Sequence, residues 1–198
     1  MSFLMASSLD EALSAVEGGR IPLAGGTDVY PRMRGEGREG DLVGLERLDE
    51  LRLVEEREGF LFLGAALTWQ QIIDSARVAK EAPLLVLAAR HVGGPAIRHM
   101  GAVGGNVCTA SPAGNGLLAL LALEARVELL SRGKRRLLPL RDFLIGPGKT
   151  DLRRGELLRA VAIPGDGGRP FFRKVAGERR LPSASAAWRP SGTKRRGG

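Results

Sequence analysis

A mixed α+β fold in two subdomains, divided near residue 52, is what this 198-residue sequence predicts. Three observations lead there. Strand signals and helix signals are intermingled along the chain. A hairpin signal is centred on Gly133-Lys134, between Arg126–Leu130 and Arg135–Pro139. Two glycine-centred loops interrupt the order, and neither has the G-x-G-x-x-G spacing of a Rossmann dinucleotide fold.

The elements are justified in order. Ser8-Leu9-Asp10-Glu11 offers a helix start, Leu9, Leu13 and Val16 recur at helical spacing, and Gly18-Gly19 is the stop. Ile21 to Ala24 reads as a short buried strand entering Gly25-Gly26, and Tyr30 to Arg34 as the start of a short helix. Asp41 to Leu45 is a second strand, Leu48 to Leu51 a turn, and Leu53 with Phe60 to Leu63 a strand pair. Thr68 is a good N-cap for a helix over Trp69 to Ser75. Pro83 suits the first turn of a helix running through Leu84 to Arg90. From Val92 to Gly116 there are seven glycines and little periodicity, which reads as a long functional loop. Leu117 to Leu123 is then an apolar helix, and Leu157 to Pro164 a closing strand. Subdomains over 1–52 and 53–165 follow, with 166–198 as a basic tail that either lacks order or packs elsewhere.

Composition narrows the function classes. The net charge is +8, yet residues 166–198 carry nine Lys/Arg against two acidic residues, leaving the body nearly neutral. A nucleic-acid-binding face, which needs clustered cations, is therefore not expected. A membrane span is not expected either, for want of a long apolar run. One cysteine, Cys108, allows no disulfide framework or four-cysteine cluster, and no secretory signal is apparent, so a cytoplasmic location is expected. His91 and His99 have no nearby ligands at metal spacing. Ser111 lies outside any G-x-S-x-G elbow.

The two loops carry the chemistry. Ala24-Gly25-Gly26-Thr27-Asp28 follows a strand, and its adjacent glycines let main-chain N–H groups approach an anion while Thr27 adds a hydroxyl. Taken alone, it reads first as a tight strand-to-helix turn. The stretch Ile97 to Gly116 mixes Gly-Gly with Asn106, Thr109, Ser111 and Asn115, a makeup suited to backbone wrapped around a large, flat ligand with many hydrogen-bonding groups.

Together these loops resemble the flavoprotein (medium) subunits of the xanthine and carbon monoxide dehydrogenase family, the molybdenum hydroxylases. Ala24–Asp28 is similar to the family's A-G-G-T-D loop, and Ile97–Asn115 to I-R-x-x-G-T-I-G-G-N-x-x-x-A-S-P-x-(A/S)-D. Leu63–Thr68 resembles I-G-A-x-x-T, and Asp142–Thr150 with Glu156–Leu158 and Ile163-Pro164 resembles D-F-F-x-G-P-G-K-T followed by E-(L/I)-(L/I) and I-P. The resemblance implies the two-subdomain FAD-binding fold of the molybdopterin dehydrogenase flavoproteins, with FAD as cofactor. It places contacts on Pro22, Leu23, Ala24, Gly25, Gly26, Thr27, Asp28 and Val29 in the first loop. Val92, Gly93, Ala102, Gly104, Gly105, Asn106, Thr109 and Asn115 would bind from the second, with Lys149 near the flavin or simply on the surface.

It also implies a molybdopterin-binding large subunit and a 2Fe–2S small subunit as partners, with electrons passing through FAD to NAD or another acceptor. Departures are Ala102 for the usual Thr or Ser, Asn115 for the usual acid, and Trp69-Gln70 where relatives have Thr-His or Val-His. Beyond Phe172–Val175 the chain leaves the family pattern, as if residues 166–198 were the remnant of a missing third subdomain. Apolar surface left bare by its absence would be exposed or used for self-association. Two other readings stay open: a cofactor-free structural or assembly remnant, and a stand-alone flavoprotein oxidase.

Overall fold

The computed structural model describes residues 2–31, 40–165, 169–175 and 183–189. A small parallel sheet comes first: β1 (Phe3–Met5), β2 (Ile21–Leu23) and β3 (Leu42–Gly44) in the order β1-β3-β2. Helix α1 (Leu9–Glu17) connects the first two. The Ser8 hydroxyl caps it by accepting from the Glu11 amide, and Gly19 leaves it at φ 95°, a conformation natural to glycine. The strand after it is less enclosed than expected. Ile21 stays exposed and only Leu23 is buried, because the parallel sheet ends at β2. Residues 29–31 begin a helical turn, and the rest of the helix expected over Tyr30 to Arg34 lies outside the described residues.

The second sheet is antiparallel, in the order β4 (Val54–Arg57), β5 (Phe60–Gly64), β10 (Leu157–Pro164), β6 (Arg126–Ser131), β7 (Lys134–Pro139). Glu58 and Gly59 both have positive φ, as a two-residue turn of type I′ between β4 and β5 requires. Against one face lie α2 (Trp69–Asp74), α3 (Ala76–Glu81), α4 (Pro83–Ala89), α5 (Pro95–Met100), α6 (Val103–Thr109), α7 (Asn115–Ala122) and α8 (Leu140–Phe143). Helix α3 is an addition to the sequence reading; Ser75 ends one helix and caps the next through its hydroxyl, so two short helices replace a single one. The small hairpin β8 (Leu144–Gly146) and β9 (Lys149–Thr150) follows α8. In the segment read as a basic tail, β11 (Arg169–Val175) and β12 (Ser183–Arg189) pair antiparallel, and they lie against α4 and α7 respectively.

Period-two alternation decides which side chains enter the core. Leu61, Leu63, Val127, Leu129, Val161 and Ile163 face the helices and pack with Trp69, Leu84, Leu85, Val103 and Leu120. A second cluster joins the sheets, with Leu13, Val16, Val43 and Leu45 against Leu51, Ala66 and Leu157. On the opposite face, Phe62 is covered by the Arg57 guanidinium 3.7 Å above its ring. There the buried Glu128 meets Arg57 at 2.7 Å, Arg159 at 2.8 Å and Arg135 at 2.5 Å.

Burial opposes ionisation of Glu128, but hydrogen bonds and charge from Arg57 and Arg159 outweigh it and lower its pKa. Glu156 behaves alike: burial opposes its charge, and the bidentate Arg136, which also holds Asp151, wins. For both, the folded pKa is depressed. Their stabilisation is complete above the ordinary value of 4.5 and is lost as pH falls below it. Glu128→Ala should cost about 3 kcal/mol at pH 7, because three guanidiniums lose the carboxylate that neutralises them. Urea denaturation from pH 7 down to 3 checks both points. The wild type should lose stability on acidification below about pH 4.5, and Glu128→Ala should lose less.

Candidate cofactor-binding site

The site forms at the carboxyl ends of the parallel strands, where a sheet leaves backbone amides and loops free to meet a ligand. Leu23, the last residue of β2, pairs with Gly44, the last of β3. The chain then turns through Ala24-Gly25-Gly26, and the Tyr30 amide donates to the Gly26 carbonyl at 3.1 Å to open the helical turn. Gly26 has φ 67°. Gly25 is required for a different reason: a Cβ there would lie 1.6 Å from the Met100 carbonyl oxygen. The first loop is thus pressed directly on the second motif.

That second motif is not the extended loop its composition suggested. Pro95 starts α5 and Ala102 starts α6, with Gly101 between them. Backbone bonds hold this joint: the Trp69 amide donates to the Gly101 carbonyl at 3.1 Å and the Val103 amide to Leu67 at 2.8 Å. Gly104 packs so closely on Ala65 that a Cβ would stand 2.6 Å from the alanine Cβ. Glycine costs a helix about 1 kcal/mol relative to alanine. Here it is helical because close packing of α6 on the 65–67 strand exit compensates, which periodicity does not register.

A cavity of 360 Å³ lies between the two motifs. Among the residues anticipated from sequence, Pro22, Ala24, Gly25, Gly26, Thr27, Asp28, Val29, Val92, Ala102, Gly105, Asn106 and Thr109 line it. The Thr109 hydroxyl donates to Asp28 Oδ2 at 3.0 Å, joining the two motifs directly. The remaining anticipated residues fall elsewhere. Leu23 and Gly104 are buried beneath the walls. Gly93 makes the turn after α4 at φ 52°, and its carbonyl accepts from Arg98. Asn115 donates its Nδ2 to the His91 carbonyl at 2.6 Å, a bond that a carboxylate could not make. Lys149 is exposed on β9, in a hairpin tied to the second motif by the Gly148 amide, which donates to Ala110 at 3.0 Å.

Sequence reasoning missed Ile21, Trp69, Ile97, Gly101 and Cys108 as lining residues. The last three lie inside the quoted motif and were legible there, whereas Trp69 reaches the cavity from the core. The Cys108 thiol is pushed up to about 12 by burial, so it stays protonated at neutral pH and is no nucleophile.

Two features test the fit to FAD. The Asn106 amide oxygen is buried with no hydrogen-bond partner, although a buried acceptor normally has one. Gly105 is exposed, and a Cβ there would meet nothing within 4 Å. A wall with an unmet acceptor and an open glycine suits a flat ligand that brings N–H or O–H donors, as FAD does, and the residues present fit that group.

Glycine loops from a parallel sheet and from a short helix, closing on one crevice without the Rossmann spacing, define a nucleotide-cofactor-binding protein. Comparison narrows the class. Residues 1–166 match the family model described as the FAD binding domain in molybdopterin dehydrogenase, and the chain belongs to that family. It is 33% identical over 193 residues to the glyceraldehyde dehydrogenase medium chain of Sulfolobus acidocaldarius, covering 94% of this chain and 69% of that one. It is 33% identical over 144 residues to the xanthine dehydrogenase FAD-binding subunit of Escherichia coli O157:H7, covering 72% of this chain and 49% of the relative.

Among solved structures, quinoline 2-oxidoreductase from Pseudomonas putida 86 is similar with a TM-score of 0.85 and 28% identity, over 91% of this chain and 64% of that one. The Cu,Mo-CO dehydrogenase is similar with a TM-score of 0.84 and 25% identity, over 91% and 65%. The chain thus spans from about half to about two thirds of the relatives' length.

Gly25→Ala separates packing from binding at this site. The added methyl meets backbone, which cannot swing aside, so the loop must lift from Met100. A loss of about 3 kcal/mol or more is expected, readable as a fall in melting temperature of the protein without cofactor.

Proposed function

We propose that this chain is the FAD-binding electron-transfer subunit of a molybdenum hydroxylase complex, working in the cytoplasm beside a molybdopterin-binding large subunit and a 2Fe–2S small subunit. The observation that carries the reading is that the Ala24–Asp28 and Ala102–Thr109 motifs, distant in sequence, line one cavity with an unmet Asn106 oxygen and an open Gly105. When bound, FAD supplies redox chemistry that takes up and releases electrons singly or in pairs, which suits a relay from iron–sulfur clusters to NAD or another acceptor.

The chain's own residues bind and orient. Ala24, Gly25 and Gly26 present main-chain amides without bulky side chains, a surface suited to a pyrophosphate. Thr27, Asn106 and Thr109 offer hydroxyl and amide groups to sugar and ribityl hydroxyls. Ala102, lacking the usual hydroxyl, offers only backbone, so the polar grip is looser there. Lys149 supplies a positive charge on the hairpin tied to Ala110. Among the described residues, no group of three or more His, Cys, Asp or Glu could hold a metal ion.

Purified protein with added FAD tests this reading. A yellow protein after desalting supports it, whereas a protein that stays colourless favours a cofactor-free structural role. Gly105→Val refines the test. The new side chain has room in the empty crevice, so the melting temperature should hold or rise, while FAD affinity should drop by at least about 100-fold because the valine fills the cofactor's path. Unchanged affinity in a flavin-fluorescence titration would remove Gly105 from the site.

A further inference from the structure

Residues 148–152 form a strap that touches both glycine motifs of the cofactor crevice. At one end, the Gly148 amide donates to the Ala110 carbonyl at 3.0 Å, and β9 packs on α6. Ala110 caps α6 at φ 48°, a left-handed conformation that strains an alanine and persists only where its surroundings fix it. Its neighbour Thr109 is the residue that reaches across the crevice to Asp28. At the other end, Leu152 lines an apolar hollow of 90 Å³ together with Pro22, Ala24, Gly105 and Cys108. Those four residues line the cofactor cavity as well, so the strap stands behind both of its walls.

Arg136, on β7, holds the strap in place. Its Nη1 donates to Asp151 Oδ2 at 2.6 Å and its Nη2 to the Asp151 carbonyl, so side chain and backbone are gripped together. Nε and Nη2 also fork onto Glu156 at 2.7 Å each, which fixes the guanidinium plane. The Asp151 amide donates to the Phe143 carbonyl at 2.8 Å and closes the base of the hairpin. Stability alone needs one carboxylate for Arg136, and Glu156 supplies it; the bonds to Asp151 add a grip on the strap. Resting on the FAD reading above, we propose that Arg136 is a positioning residue for the cofactor. Through Asp151 it holds the strap against Ala110 and against the hollow behind Gly105, and so sets the spacing of the crevice walls. The Glu128 cluster differs: it joins strands of the same sheet, and none of its residues lines the crevice or the hollow.

FAD titrations read by flavin-fluorescence quenching compare wild type, Arg136→Ala, Asp151→Ala and Glu128→Ala, with the melting temperature of each cofactor-free full chain as the structural readout. Arg136→Ala should weaken FAD by about tenfold, within the range of coupling between linked sites. Asp151→Ala leaves Glu156 to neutralise Arg136, so it should move the melting temperature little and still lower FAD affinity. Glu128→Ala should lower the melting temperature and leave FAD affinity unchanged. Wild-type affinity in Arg136→Ala overturns the proposal, as does an equal loss in Glu128→Ala, the sign of general loosening. If Arg136→Ala does not fold, Asp151→Ala decides alone, and wild-type affinity there overturns it. Amide hydrogen exchange on the cofactor-free chain needs no FAD: residues 103–110 should exchange faster in both strap variants and not in Glu128→Ala. If wild type fails to bind FAD, the flavin reading fails separately, and unchanged exchange at 103–110 overturns the role of Arg136.

Discussion

Contact between the Gly25 backbone and the Met100 carbonyl is the constraint around which the rest of the molecule is arranged. It brings a loop from a parallel sheet of residues 3–44 against the end of a helix from the other half of the chain, with no side chain between them. The cofactor cavity lies beside this seam, and both glycine motifs converge at it. Any β-carbon at Gly25 would part the walls, so the crevice and the packing of the first sheet on the helical layer are one structural fact.

The seam holds because each partner is fixed from behind. The first loop hangs from β2, whose sheet packs α1 onto Leu51, Ala66 and Leu157 of the larger unit. The second motif hangs from Leu67 and Ala65 through backbone hydrogen bonds, with Gly104 allowing α6 to press on Ala65. Buried apolar area drives both arrangements. Polar work is concentrated on the outer face of the large sheet, where Glu128 collects three arginines, and at the crevice, where Thr109 reaches Asp28. The first is held within the chain by ion pairs, with Arg57 Nε left without a hydrogen-bond partner. At the crevice, the Asn106 acceptor is unmet.

Departures from the family pattern gain physical content in the same way. Asn115, where the resembled motif ends in an acid, donates to the His91 carbonyl and ties down the turn that presents Val92 to the cavity. The amide therefore does work inside the protein that a carboxylate could not. Ala102 sits in a bridge with Thr68, where backbone alone is needed for the joint. What it lacks is a hydroxyl for the ligand.

Local chemistry made much of this legible from sequence alone. Ser8 and Thr68 as caps, Pro83 at a helix start, the turn at Gly133 and the apolar run of Leu157 to Pro164 act within a few residues of themselves. The motif spellings likewise marked both walls of the crevice. Other features depend on residues distant in sequence. Gly104 and Gly25 look like flexible loop glycines until Ala65 and Met100 arrive beside them, and only then does α6 become a helix and the first loop a wall of the crevice. Trp69 reaches the crevice from the core, so no local pattern announces it. Sequence by itself determined the family and those elements whose caps, turns and apolar runs are local. Tertiary packing decided which glycines seal the structure, which open it to a ligand, and which polar atoms remain for a ligand to satisfy.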